Sequence, residues 1–122
     1  MKIIEEKPNI SSQTADSGNK EFYKILDYIK NHYTENITVE SISKALYCSR
    51  SRTMRLFAKH LGVSVKEYIT DLRIKKANEL LALGYSVTET AMESGFQSVR
   101  TFNSSYKAYM GITPTQYQKS IK

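Results

Sequence analysis

Residues 62–68, Gly-Val-Ser-Val-Lys-Glu-Tyr, and residues 111–117, Gly-Ile-Thr-Pro-Thr-Gln-Tyr, match at an offset of 49. Gly62 falls on Gly111, Val63 on Ile112, Ser64 on Thr113, Glu67 on Gln116 and Tyr68 on Tyr117. Ser49 and Ser98 obey the same offset, as do Phe57 and Tyr106, and Leu61 and Met110. Upstream the offset becomes 48, setting Val39 on Val87, Glu40 on Thr88, Ser43 on Ala91 and Tyr47 on Gly95. One extra residue in the second turn explains the slip. A chain that repeats its glycines and hydroxyl residues in register is one supersecondary unit used twice.

The local chemistry says what that unit is. Thr38 is a good N-cap with Glu40 in the first turn, and Ile37 can staple against Ile42, which predicts a short helix from Val39 to about Leu46. Ser49 caps a second helix, Arg50 to about Leu61, closed by Gly62. Ser64-Val-Lys-Glu67 is a capping box opening a longer helix, with Val65, Tyr68, Ile69, Leu72, Ala77, Leu80 and Leu81 mostly on one side, closed by Gly84. Ser86-Val-Thr-Glu89 opens another short helix to about Ser94, and Ser98 caps a helix to about Met110, ended by Gly111. Thr113-Pro-Thr-Gln116 starts a last turn or two. Ahead of these, Phe22, Ile25, Leu26, Ile29 and Tyr33 form one apolar stripe on a helix. Residues 1–19, with Pro8, Gly18 and a polar run, read as a flexible tail or linker.

No segment alternates with a period of two, so the expected fold class is all-α: seven helices in two helix-turn-helix subdomains joined by a long central linker helix. The expected divisions are a tail over 1–19 and a domain over 20–122. Within the domain, the first motif covers about 38–62, the linker helix about 64–83, the second motif about 86–111 and a C-terminal turn 113–119.

Charge locates the working faces. The 122 residues carry a formal +6, and a basic chain of this kind fits a polyanionic partner. Residues 1–47 and 62–94 are each −1, whereas 48–61 and 95–122 are each +4 and contain no acid. The two acid-free islands begin at the turns and cover the second helix of each motif. A basic, cap-initiated second helix suits major-groove insertion, because its amino-terminal amides meet phosphates while side chains further in reach base edges. The linker helix would span about 28 Å at 1.5 Å per residue, on the scale of the ~34 Å between successive major-groove faces.

Other classes find no support. No apolar run approaches the roughly 18 residues of a membrane span, the amino terminus lacks the order of a secretory signal, and a lone Cys48 suits a reducing, cytoplasmic setting. His32 and His60 stand apart, without a cluster at metal spacing, a nucleophile–base pattern or a phosphate-cradling glycine loop. No cofactor, metal or catalysis is expected. Cys48 reads as a small turn residue, and most of the thirteen Tyr and Phe side chains fall on apolar stripes, which favours core over stacking on single strands.

These residues carry a recognisable pattern. Tyr68 to Leu81 in the linker helix, Val87 through Ala91 to Gly95-Phe96-Gln-Ser98, and Phe102-Asn-Ser-Ser-Tyr106-Lys107 followed by Gly111 to Tyr117 resemble the DNA-binding domain of AraC/XylS transcription regulators. The resemblance covers about Lys20 to Gln118. It implies that helices three and six enter adjacent major grooves of double-stranded DNA and recruit or block RNA polymerase at promoters, with activation the favoured sign and an upstream effector or receiver domain as a companion. By position it assigns Ser51, Met54, Arg55, Val99, Arg100, Asn103 and Ser104 to base edges. Ser49, Arg50, Arg52, Lys59, Ser98 and Lys107 go to phosphates. The base-edge residues also share one face of each helix, opposite the core candidates Leu56, Phe57, Phe102 and Tyr106. Arg55 and Arg100 suit guanine, Asn103 adenine, and Val99 or Met54 thymine methyls. Two departures stand out. Ser104 replaces the usual Arg, which predicts a second motif that binds weakly or reads fewer bases. Thr53 replaces an aliphatic core residue, which predicts looser seating of helix three. The competing expectation is a helix-turn-helix used chiefly for protein contact within a larger regulator.

Overall fold

The computed structural model describes residues 17–121, which form seven α-helices, with no strand among the described residues. These are α1 (Ser17–His32), α2 (Val39–Ala45), α3 (Arg50–Leu61), α4 (Val65–Ala82), α5 (Val87–Glu93), α6 (Val99–Met110) and α7 (Pro114–Ser120). The all-helical expectation holds. Ser17–Asn19, expected in the tail, instead begin α1; the rest of that stretch lies outside the described residues.

Hydroxyl side chains start the helices as the sequence requires. The oxygens of Thr38, Ser49, Ser64, Ser86, Ser98 and Thr113 accept from the amides of Ser41, Arg52, Glu67, Glu89, Thr101 and Gln116, at 3.0–3.1 Å. Each cap satisfies a helix N–H that would otherwise be orphaned, worth about 1 kcal/mol. At α2 the box is closed by Ser41, whose hydroxyl accepts from the Thr38 amide at 2.8 Å. Glu40 is left for another partner.

The chain divides into two units, with α4 passing from one into the other. The first holds residues 17–33 and Ile37–Ile69. Its buried side chains include Phe22, Ile25, Leu26 and Ile29 of α1, Ile42 of α2, Leu56 and Phe57 of α3, and Val65, Tyr68 and Ile69 of α4. The Phe57 ring meets Phe22 and Tyr68 edge-on, both at 5.5 Å, a geometry that suits the ring quadrupoles.

The second unit holds Thr34–Asn36 and residues 70–121. Its core gathers Ile74, Ala77 and Leu81 of α4, Ala91 of α5, Phe96, and Phe102, Tyr106, Tyr109 and Met110 of α6, with Val87, Val99 and Tyr117 against them. The Tyr106 hydroxyl donates to Asn78 Oδ1, and burial pushes its phenol pKa upward, with Tyr117 adding to the effect. Within this unit Arg73 donates to the Glu35 carbonyl at 2.9 Å and its guanidinium lies 6.0 Å from the Phe96 ring centroid. Gln97 donates to Asn36 Oδ1 at 2.7 Å.

The repeat holds down to single hydrogen bonds. The Cys48 amide donates to the Ser43 carbonyl at 2.9 Å, and the Phe96 amide to the Ala91 carbonyl at 3.0 Å. The residue before each donor is left-handed: Tyr47 at φ 54° and Gly95 at φ 100°. Glycine enters that region without penalty, whereas a side chain there costs about 1–2 kcal/mol. Gly62 and Gly111, left-handed at φ 69° and 82°, close α3 and α6 alike.

One buried site is built differently in the two copies. Where the second motif sets Ala91 against the core that Phe102 fills, the first has Ser43 and Thr53. Thr53 is fully buried, and its hydroxyl donates to the Ser49 carbonyl at 3.0 Å. Its proton thus spent, it accepts from Ser43 Oγ at 3.0 Å. The expectation that Thr53 loosens α3 is therefore corrected: a polar residue in the core is costly only when unpaired, and this one is held twice.

Thr53→Val preserves the shape but strands the Ser43 hydroxyl, so it should destabilise the protein by about 1–3 kcal/mol. Adding Ser43→Ala should recover most of that loss. Urea denaturation of the single and double variants measures both, and a double variant no more stable than the single sinks the account.

Candidate nucleic-acid interface

The buried faces of α3 and α6 decide which side chains are offered outward. In α3, Thr53, Leu56, Phe57 and His60 are buried, and in α6, Phe102, Tyr106, Tyr109 and Met110. The helical period then turns Ser51, Met54 and Arg55 outward on α3, and Arg100, Asn103 and Ser104 on α6, all exposed; Val99 is half-buried against its core. The four core candidates Leu56, Phe57, Phe102 and Tyr106 are buried as expected. Each helix thus presents one face free of structural duty.

Ser49 and Ser98 engage the third amide of their helices, while the amides before it have no carbonyl four residues back to bond. A helix start of this kind favours an approaching anion. Along α6 a shallow groove is lined by Asn103, Ser104, Lys107, Ala108 and Thr113. The groove beside α3 is lined in part by Arg50, Met54, Ala58 and Ser64. Positions 54, 58 and 64 are the repeat partners of 103, 107 and 113. Met54 therefore answers to Asn103 and Ala58 to Lys107, while Arg55 answers to Ser104 and Ser51 to Arg100.

Charge is distributed differently in space from its distribution along the chain. Two carboxylates from outside the first acid-free island fold onto it. Glu21 of α1 pairs with Arg52, whose Nε lies 2.8 Å from Oε2 and whose Nη2 lies 2.7 Å from Oε1. Cys48, half-buried, donates its thiol to the same Oε2 at 3.4 Å. Glu40 of α2 pairs with Arg50. Arg52, expected at a phosphate, is thus half-buried and bound to Glu21. Arg55 and Lys59 on α3, and Arg100 and Lys107 on α6, have no carboxylate partner among the described residues. The expectation of a weaker second motif rested on Ser104 alone; with Arg50 and Arg52 paired, α3 and α6 each keep two such cations.

Nothing local in the sequence marks Glu21 and Glu40 as partners of Arg52 and Arg50. Glu21 lies 31 residues before Arg52, and only the docking of α1 brings them together. The two histidines have aromatic company: His60 stacks on Phe22 at 4.5 Å and His32 on Tyr28 at 4.3 Å. No cluster of metal-ligating side chains occurs among the described residues, and no helix there is long and apolar enough to cross a membrane.

Comparison with known proteins gives this geometry a context. Residues 42–120 match the family model described as a helix-turn-helix domain. Over 117 residues, 95% of this chain and 42% of the relative, the sequence is 30% identical to the lactose operon transcription activator of Staphylococcus xylosus. Among solved structures, the C-terminal domain of AraT, a response regulator from Geobacillus stearothermophilus, superposes with a TM-score of 0.81 at 27% identity, covering 90% of this chain and 88% of that one. The DNA-binding domain of AdpA, a global transcriptional factor solved with a target DNA, superposes with a TM-score of 0.77 at 25% identity, covering 82% and 91%. The chain spans about two fifths of the length of the curated relatives it matches.

The hydrogen bond from Arg52 is the main influence holding the Glu21 carboxyl below its ordinary value, against partial desolvation that raises it. A carboxyl whose pKa is depressed on folding contributes stability that is complete above the unfolded value of about 4.5 and is lost as pH falls through the folded value. In Arg52→Gln the Glu21 carboxyl should titrate closer to 4.5, and the acid limb of the stability profile should shrink. Carbon-detected NMR titration reads the first and thermal melts against pH the second. A Glu21 titration unmoved by the substitution rules the pairing out as the cause.

Proposed function

This chain belongs to the AraC-type helix-turn-helix family of DNA-binding transcription regulators, and from that premise we propose a specific binding mode. Helices α3 and α6 enter adjacent major grooves of a promoter site, and the chain serves as the DNA-reading part of an activator. The observation that carries the reading is the pair of outward faces: each motif buries one side of its second helix and leaves the other side basic, polar and without a structural task.

Arg55 and Arg100 are assigned to guanine, where a guanidinium fork matches the O6 and N7 acceptors, and Asn103 to adenine. Met54 and Val99 meet thymine methyls, while Ser51 and Ser104 take adaptable hydrogen bonds at base edges. Ser49, Arg50, Lys59, Ser98 and Lys107 hold the backbone phosphates. The AdpA domain solved with its target DNA supports this use of the fold, and the lactose operon activator supports the sign of regulation. RNA polymerase is the protein partner this role requires. An effector or receiver domain is a second, supported by relatives more than twice this length and by the response regulator that contains the AraT domain.

Gel shifts on selected and scrambled duplexes over a salt series test the reading. Affinity should fall steeply with salt, as counterions released from phosphates demand. Arg55→Ala should lose about 1–3 kcal/mol of discrimination at one base pair. Lys107→Ala should weaken all sequences alike and reduce the log–log salt slope by about 0.9. Salt-insensitive binding, or equal affinity for every duplex, would falsify the sequence-specific mode and favour a module used for protein contact.

A further inference from the structure

Tyr47 combines two properties that folding does not require. Its backbone is left-handed at φ 54°, the only positive φ at a non-glycine among the described residues, and its side chain is 98% exposed. The repeat shows that the turn itself needs no side chain here, because Gly95 fills the equivalent place and the following amide makes the same bond back to the short helix. A large aromatic group in a conformation that favours glycine, covering no core, is strain without a packing return. Such a local conflict is expected where function decides the residue.

The position suggests what the side chain meets. Tyr47 stands two residues before the Ser49 cap and three before Arg50, beside the amino terminus of the first recognition helix. Its hydroxyl has no hydrogen-bond partner among the described residues. A tyrosine hydroxyl is a common donor to phosphate oxygens, and a helix that enters a groove by its amino-terminal end brings its preceding turn towards the flanking backbone.

We propose that Tyr47 is a DNA-contacting residue: its phenol donates to a backbone phosphate at the edge of the groove that α3 enters. The proposal rests on the binding mode above. It explains why a strained aromatic stands in the first turn while the second keeps glycine. It also makes the two motifs unequal, because the first motif gains at Tyr47 an uncharged phosphate contact that Gly95 cannot make.

The test compares Tyr47→Gly, Tyr47→Ala and Tyr47→Phe in the full chain by thermal melting and by duplex binding over a salt series. Tyr47→Gly relieves the strain and should raise Tm by about 4 °C while weakening binding to selected and scrambled duplexes alike, by about fivefold. Tyr47→Ala keeps the strain, so Tm should not rise, and binding should fall as for glycine. Tyr47→Phe should lose most of that affinity with Tm unchanged. A phenol carries no charge, so the log–log salt slope should stay at the wild-type value in every variant. Full duplex affinity in Tyr47→Gly overturns the proposal, including the case in which only transcription with RNA polymerase falls and the contact belongs to protein. A loss confined to one sequence overturns the phosphate assignment in favour of a base. A wild type that binds no duplex overturns the binding mode itself, and this proposal with it.

Discussion

Two equivalent hydrogen bonds carry the architecture: the Cys48 amide to the Ser43 carbonyl and the Phe96 amide to the Ala91 carbonyl. Each forms only when the residue before the donor turns left-handed, and each fixes the direction in which the next helix departs. Everything outward follows from that angle. With the second helix aimed, its apolar positions meet the core and its remaining side chains are delivered to solvent as a set.

The glycines that close α3 and α6 complete the same logic from the other end. Gly62 and Gly111 stop each helix after twelve residues, long enough to bury four anchors and short enough to leave a single exposed face. The hydrophobic anchors are mostly aromatic, and their edge-to-face contacts leave the helix few alternative seatings. Rigidity matters for a reader of base edges, since discrimination between bases depends on where a guanidinium fork or amide sits.

Local signals were the legible ones. Hydroxyl caps, terminal glycines and Pro114 act within a turn of the chain, so Ser49, Ser98, Gly62 and Gly111 could be placed from the sequence, and with them the helices and their outward faces. Interactions that need the tertiary fold were not legible. Glu21 reaches Arg52 across 31 residues, and no periodicity marks the pair, so the first basic island looked more cationic than it is. The repeat alone sets Tyr47 on Gly95, yet a tyrosine does not announce the left-handed backbone the two share. Thr53 stands out in the sequence as an unusual core residue. What the sequence did not disclose was its partner, because Ser43 acquires meaning only when α2 and α3 are packed.

The Ser43–Thr53 pair bears on how such a protein can be rebuilt. Its counterpart in the second copy is apolar, Ala91 with Phe102, and the two solutions do not mix. Phe102 placed in the first motif would crowd Ser43 and leave its hydroxyl dry, while Thr53 placed in the second would open a void beside Ala91. The transplantable module is therefore the helix pair with its turn. A recognition helix moved alone would arrive with the wrong lock for its key, so grafting new DNA preferences onto this scaffold means moving α2 with α3, or α5 with α6, or confining the changes to the outward positions.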